Sequence, residues 1–213
     1  MATYDLEEQE QLAALKAWWK ENGNLITTAV SLALIGLAIW QGWGYYQRNQ
    51  AAKASNLYAV VQKAARANNL KEVRESAGAI LEDYPRTEYA AMAALVSAKA
   101  HFQGGDLKTA RVQLAWVADN AKDEGLQDIA RLRLASVMLD QKAYDEALKV
   151  LDAQHGAAFD ALFLASRGDV LVAQGKKEDA RSAYKAALDK IGDKEGGLRA
   201  SIQLRMDALG TAK

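Results

Sequence analysis

The segment RGDVLVAQGKKEDARSAYKAAL (residues 167–188) decides how this chain folds. Gly168 is a small residue inside an apolar helical run, Gly175 turns the chain, and Ala180, Tyr184, Ala187 and Leu188 follow at helical spacing. A small residue on each side lets two helices cross closely, while an aromatic ring and an Ala-Leu pair fill the space between them. The segment therefore reads as a helical hairpin. Ala135, Tyr144, Ala147, Leu148 and Leu151 repeat the pattern one unit earlier, and Ala98, Gly105, Leu107, Ala110 and Leu114 repeat it before that. A degenerate copy spans Leu57 to Leu81 and ends at Tyr84-Pro85, with Val73 where the others have Ala110, Ala147 and Ala180. Those positions lie 37, 37 and 33 residues apart.

A helical hairpin recurring at this period resembles the tetratricopeptide repeat. The spacing predicts helix pairs over 48–68 with 70–83, 87–103 with 106–121, 124–140 with 143–155, and 157–174 with 177–190. Leu198, Ile202, Met206 and Leu209 form an apolar stripe on a last helix, as the end of a solenoid needs in order to hide its final face. The predicted fold class is all-α: one N-terminal transmembrane helix, then a tetratricopeptide-like α-solenoid of three to four pairs and a C-terminal capping helix.

Composition agrees with helices. The chain has 213 residues, a single proline and no cysteine, so few positions force a helix to break and neither disulfides nor thiolate metal sites can form. Lys plus Arg equals Asp plus Glu at 27 each. No basic cluster with interleaved aromatics occurs, and nucleic acid is not an expected partner.

Charge placement says more than its sum, because no Asp, Glu, Lys or Arg lies between Glu21 and Arg48. Leu25 to Tyr46 is an uncharged run whose length, at about 1.5 Å per residue, reaches roughly 33 Å and matches the hydrocarbon core of a bilayer. Trp18 and Trp19 flank one end and Trp40, Trp43, Tyr45 and Tyr46 the other, where interfacial aromatics anchor a span. Ala52-Lys53-Ala54 has the small-x-small form of a signal-peptidase site, but the apolar run is too long and the preceding tail too acidic for a cleaved signal. An uncleaved signal anchor is the expectation. Ahead of it, Leu12, Leu15 and Trp19 share one face of a short interfacial helix expected to end at Asn22-Gly23, with Lys16 and Lys20 reaching lipid phosphates. The predicted division is 1–24 tail, 25–47 span and 48–213 repeat domain. Nothing between Gln47 and Asn68 breaks a helix, so the span is expected to run directly into the first repeat helix. Charge bias leaves the topology open, since a large domain translocates largely regardless of its charges.

In tetratricopeptide folds the first helix of each pair lines the concave face. The corresponding positions here are Met92, Leu95 and Phe102, then Ile129, Leu132 and Leu139, then Leu162, Ala165 and Val172, interrupted by Lys99, Ser136 and Asp169. An apolar groove of this kind suits unfolded or amphipathic polypeptide; the competing reading is ordinary core between repeats. No Arg/Lys cluster for carboxylate or phosphate falls at these stripe positions. Within the span, Ser31, Ile35, Ala38 and Gly42 share a face on which small residues allow close packing against another membrane helix. His101 and His155 lie on separate repeats without a second histidine at ligand spacing, and both read as structural. Gly104-Gly105 is a helix-helix turn, not a phosphate loop. No enzymatic role, metal or cofactor is expected.

The stretch Leu15-Lys16-Ala17-Trp18-Trp19-Lys20-Glu21-Asn22-Gly23 leading into the span, with Ala130-Arg131-Leu132-Arg133-Leu134-Ala135, Tyr144-Asp145-Glu146-Ala147-Leu148 and Arg167-Gly168-Asp169 beyond it, resembles the bacterial YfgM family of ancillary SecYEG translocon subunits. The resemblance implies an inner-membrane protein with a cytoplasmic N-terminus and a periplasmic repeat domain. It implies association with the SecYEG translocon and with a membrane-anchored periplasmic chaperone of the prolyl-isomerase type, in handing exported polypeptides to periplasmic chaperones. A second reading is a regulator whose acidic tail, Asp5 to Glu10, sequesters a cytoplasmic signalling protein.

Overall fold

The computed structural model describes residues 2–192 and 196–210, with side chains from residue 7 onward; the side chain of Asp5, part of the acidic tail, lies outside the described residues. Among them the chain is helical throughout, with α1 (Ala2–Arg66), α2 (Leu70–Asp83), α3 (Glu88–Gln103), α4 (Leu107–Asn120), α5 (Glu124–Asp140), α6 (Tyr144–Leu151), α7 (Asp160–Ala173), α8 (Lys177–Lys190) and α9 (Gly196–Asp207). The predicted pairs are present, with ends shifted by a few residues. α6 stops at Leu151 rather than 155, and a single 3-10 turn, Ala157–Phe159, precedes α7. The chain divides into two compact units, residues 1–49 and 50–213.

In the first unit α1 does not end at Asn22-Gly23, contrary to expectation. Gly23 keeps a negative φ, since the positive-φ glycines are 105, 175 and 210. The Asn22 side chain donates to the Trp18 carbonyl at 3.0 Å, and the Thr27 hydroxyl donates to the Gly23 carbonyl at 2.8 Å. The Trp19 ring closes over Gly23, where a Cβ would lie 3.0 Å from Nε1. Residues that favour a stop are thus recruited to continue the helix. Thr28 donates likewise to Asn24 at 2.7 Å, so both threonine hydroxyls of the run are satisfied within the helix, as an apolar surrounding requires. Leu25, Leu32, Ile39 and Trp40 point outward, 74%, 64%, 67% and 75% exposed. Among the described residues α1 is the one helix long and apolar enough, by length and composition, to cross a membrane.

In the second unit one turn is used four times. Asn68, Gly105, Lys142 and Gly175 all take positive φ, between 54° and 81°, at the intervals of the sequence repeat. At each, the next residue's N–H reaches back five residues: Asn69 to Ala64, Asp106 to His101, Ala143 to Met138 and Lys176 to Leu171, at 2.8 to 2.9 Å. These bonds close the preceding helix in the Schellman manner and start the next. Five residues after each turn comes the small residue read from the repeat, and Val73, Ala110, Ala147 and Ala180 are all completely buried.

Alanine dominates the interior, so the helices approach closely. Ala54, Val61, Val73, Ala77 and Ile80 build the first cluster, Ala98, Leu114, Leu134, Ala135 and Phe163 the second, and Ala165, Leu171, Tyr184, Ala187 and Ile202 the third. Gly168 is where α7 receives the Tyr184 ring of α8. The Tyr184 hydroxyl donates to Asp169 at 2.8 Å, and Arg205 of α9 donates to the other oxygen of the same carboxylate at 2.7 Å. That carboxylate ties α7, α8 and the last helix together. Ile202 of α9 is fully buried against α7 and α8.

Candidate functional site

α3, α5 and α7 carry the apolar stripe, and the structure divides its members. Phe102, Leu162 and Val172 are exposed, at 40%, 36% and 38%. Met92, Leu95, Ile129, Leu132 and Leu139 are half-buried, and Leu95, Leu132 and Leu139 rest on the central cluster. Ala165 is buried, so part of the stripe supports the packing while Phe102, Leu162 and Val172 present apolar surface.

An open cavity of about 390 Å³ lies beside Phe102. α3 contributes Ala98, Lys99, Phe102 and Gln103, α5 contributes Arg133, Ser136 and Val137, and Leu114 of α4 forms part of the floor. A neighbouring cavity of about 280 Å³ shares Lys99 and Gln103 and is bounded on its far side by Gln62, Ala65 and Arg66 of α1. Neither cavity is lined by a carboxylate.

Elsewhere in the unit several cations are paired with carboxylates. Arg74 meets Asp106 at 2.7 Å, Arg131 meets Asp128 at 3.0 Å, Lys190 meets Asp160 at 3.0 Å, and Arg111 and Arg167 pair with Glu146 and Asp152. Among the described residues, Arg66, Lys99 and Arg133 have no carboxylate partner. The stripe positions named from the sequence included Lys99 but not Arg133 or Arg66. Arg133 lies two residues before the small crossing residue Ala135, at the stripe's edge, and Arg66 sits on the helix that carries the apolar run, so neither was counted.

The remaining polar side chains hold the fold. Asp128 is 2% exposed and accepts from the Gly156 N–H at 2.9 Å and from Arg131. Arg131 reaches the Gln154 carbonyl at 3.2 Å and the Gln127 side chain at 3.1 Å. This network fixes the segment after α6 where a longer helix was expected; a buried carboxylate requires such partners. Its sequence signal, an Asp three residues before an Arg on one helix face, is common and carried no weight alone.

His101 is fully buried, with Nδ1 3.3 Å from Asp106. Burial pushes its pKa below the ordinary value, Arg74 pushes the same way, and Asp106 opposes them. Asp106 is itself held below the usual carboxylate range, chiefly by hydrogen bonding at Thr109. His155 stacks on Phe163 with ring centroids 3.9 Å apart, and its Nε2 lies 3.4 Å from Asp160. Neither imidazole lines the two cavities beside Lys99. Burial, then the bond to Asp169, raises the Tyr184 pKa well above the ordinary tyrosine value. Among the described residues no group of three or more His, Cys, Asp or Glu is placed to hold a metal ion.

In the first unit Ser31, Ile35, Ala38 and Gly42 lie on the exposed surface of α1, as do Trp18, Trp19, Trp40, Trp43, Lys16 and Lys20. No second helix covers them among the residues of that unit.

Residues 16–211 match the family of tetratricopeptide repeat-like domains. The chain is 34% identical over 208 residues to a Neisseria gonorrhoeae protein named ancillary SecYEG translocon subunit, covering 96% of this chain and 98% of that one. Proteins with the same name from Haemophilus influenzae and Escherichia coli are 31% and 29% identical. The first match covers 86% of this chain and 90% of the relative, the second 95% and 96%.

Proposed function

Because the chain belongs to the YfgM family of ancillary SecYEG translocon subunits, which carry a tetratricopeptide repeat-like domain, we propose that it serves the Sec translocon as a membrane-anchored, non-enzymatic accessory subunit. Residues 25–47 cross the inner membrane as a signal anchor, residues 1–24 form a short cytoplasmic tail, and residues 48–213 form the periplasmic repeat domain. Trp18, Trp19, Trp40 and Trp43 sit at the two interfaces, with Lys16 and Lys20 on lipid phosphates. The face of Ser31, Ile35, Ala38 and Gly42 packs against another membrane helix.

One observation carries the reading: the same chain combines a helix whose apolar side chains lie uncovered with a repeat unit that keeps Phe102, Leu162 and Val172 exposed beside an open cavity. Uncovered apolar surface of both kinds calls for lipid on one and polypeptide on the other. The concave stripe receives exported polypeptides and passes them to a membrane-anchored periplasmic chaperone of the prolyl-isomerase type.

Site-specific photocrosslinking tests this in inner-membrane vesicles programmed with a stalled secretory chain. Probes at Phe102 and Leu162 are expected to crosslink to that chain, and a probe at the outward-facing Val112 of α4 is not. Equal capture at all three positions would remove the groove from the proposal. Deleting residues 2–11 leaves translocon association intact on this reading, whereas a tail-based regulator would lose its main phenotype. Protease digestion of the repeat domain in spheroplasts, but not in intact cells, is expected from its periplasmic placement.

A further inference from the structure

We infer that the groove selects acidic-apolar polypeptide segments, in which carboxylates alternate with apolar side chains; this rests on the reading of the concave face as a polypeptide site. Two cavities adjoin through Lys99 and Gln103, and Arg66, Lys99 and Arg133 stand along them on three successive first helices, α1, α3 and α5. No carboxylate lines either cavity, and among the described residues none of these three cations is paired with a carboxylate. Three cations without a carboxylate along the lining make the charge beside the two cavities positive.

The occupant follows from the mixture of surfaces. Phe102, Leu114 and Val137 offer an apolar wall and floor between Lys99 and Arg133, which would gain nothing from a phosphate polymer but would seat one or two apolar side chains. The Ser136 hydroxyl donates to the Leu132 carbonyl at 3.2 Å and keeps its oxygen free to accept from a peptide N–H. Gln103, shared by both cavities, supplies a donor and an acceptor to an extended backbone. A carboxylate reaching Arg133 gains the planar two-bond geometry of a guanidinium. The segment recognised is thus extended, with apolar residues in the cavities and acids at the cations.

The test uses the full-length protein in phosphatidylcholine nanodiscs and three fluorescent twelve-residue peptides, alternating Leu with Asp, Ser or Lys, read by anisotropy. The Asp peptide is expected to bind about three- to tenfold tighter than the Ser peptide at low salt, the range that a few partly exposed ion contacts supply. The gap should close as salt is raised. Replacing Lys99→Gln and Arg133→Gln, both exposed and unpaired, should abolish the gap and leave the Ser peptide unchanged, while Phe102→Ala weakens both. Equal binding of the Asp and Lys peptides overturns the acidic preference and leaves the groove standing. Absence of binding by all three overturns the groove itself. If phosphatidylglycerol vesicles bind through Lys99 and Arg133 and displace the Asp peptide from them, the cations serve lipid and the inference fails.

Discussion

Gly168 lies so close to the Tyr184 ring that a Cβ placed on it would sit 2.4 Å from Tyr184 Cε1. The ring is 2% exposed and its hydroxyl is held by Asp169, so it cannot swing away into solvent. Gly168→Ala is therefore expected to destabilise the repeat unit by about 1–3 kcal/mol through overpacking, measured by denaturant unfolding. Tyr184→Leu should cost less in the Gly168→Ala background than alone. Additive costs would show that the close approach is not what glycine is there for.

The turn between α5 and α6 places Lys142 at φ 60°, where the equivalent turns have Gly105 and Gly175. An L side chain in that region carries a penalty that glycine escapes. Lys142 is exposed, and the turn's bonds are all backbone, including Lys142 N–H to the Leu139 carbonyl at 2.9 Å. Lys142→Gly should raise stability by about 0.5–1 kcal/mol, the sign being opposite to the usual effect of added glycine. A lowered melting temperature would count against it.

What the sequence made legible follows from what repeats. The buried positions Val73, Ala110, Ala147 and Ala180 and the helix pairs around them were readable because each is fixed by packing that recurs in every unit. The turns were readable only in part: glycine marks two, whereas Asn68 and Lys142 take the same conformation without announcing it. Residues that meet across units were not readable at all. Asp128 to the Gly156 N–H spans 28 residues and Asp169 to Arg205 spans 36, contacts between single polar groups that the repeated small and aromatic positions do not mark. The cations beside the two cavities belong to this last class, since Arg66, Lys99 and Arg133 come to line adjoining cavities only when three helices stack.

Asp128 is expected to be the costliest single carboxylate to remove. Asp128→Ala leaves the Gly156 N–H without its acceptor and the half-buried Arg131 without its carboxylate. Arg131 keeps acceptors on Gln127 and Gln154, which places the expected loss at about 2–3 kcal/mol, below the full figure for a broken buried pair. Asp128→Asn retains an oxygen for Gly156 and should lose less. Hydrogen exchange at Gly156 should quicken in Asp128→Ala, and an unchanged rate would refute the clamp.

His101 makes stability depend on pH. Its folded pKa lies below the ordinary value because burial disfavours the imidazolium, with Arg74 adding to the effect and Asp106 opposing it. The unfolded chain therefore binds a proton that the folded chain refuses, starting near the ordinary histidine pKa of about 6.5. The stabilisation is fully present above that pH and is lost progressively as pH falls through the folded value. Asp106, held low, loses its own contribution only further into the acid range. His101→Gln should flatten the slope of unfolding free energy below the ordinary histidine pKa of about 6.5. A slope identical to that of the unsubstituted protein would assign the effect elsewhere.

The reading of α1 as an anchor predicts a difference between two apolar positions that look alike in the structure. Leu34 and Leu12 are both exposed on one helix, at 60% and 55%, but Leu34 lies near the middle of the uncharged run and Leu12 outside it. Moving from Leu to Arg at the centre of a span costs about 3–4 kcal/mol on an insertion scale, whereas the same change at the interface costs little. The run has eight Leu, Ile or Val residues among 22, so its margin for insertion is modest and one central arginine should consume most of it. Leu34→Arg is expected to move a substantial fraction of the full-length protein into the carbonate-soluble supernatant, and Leu12→Arg to leave it in the pellet. Should both variants partition alike, burial of the run in lipid would not be what holds this chain, and its exposed leucines would require a protein partner instead.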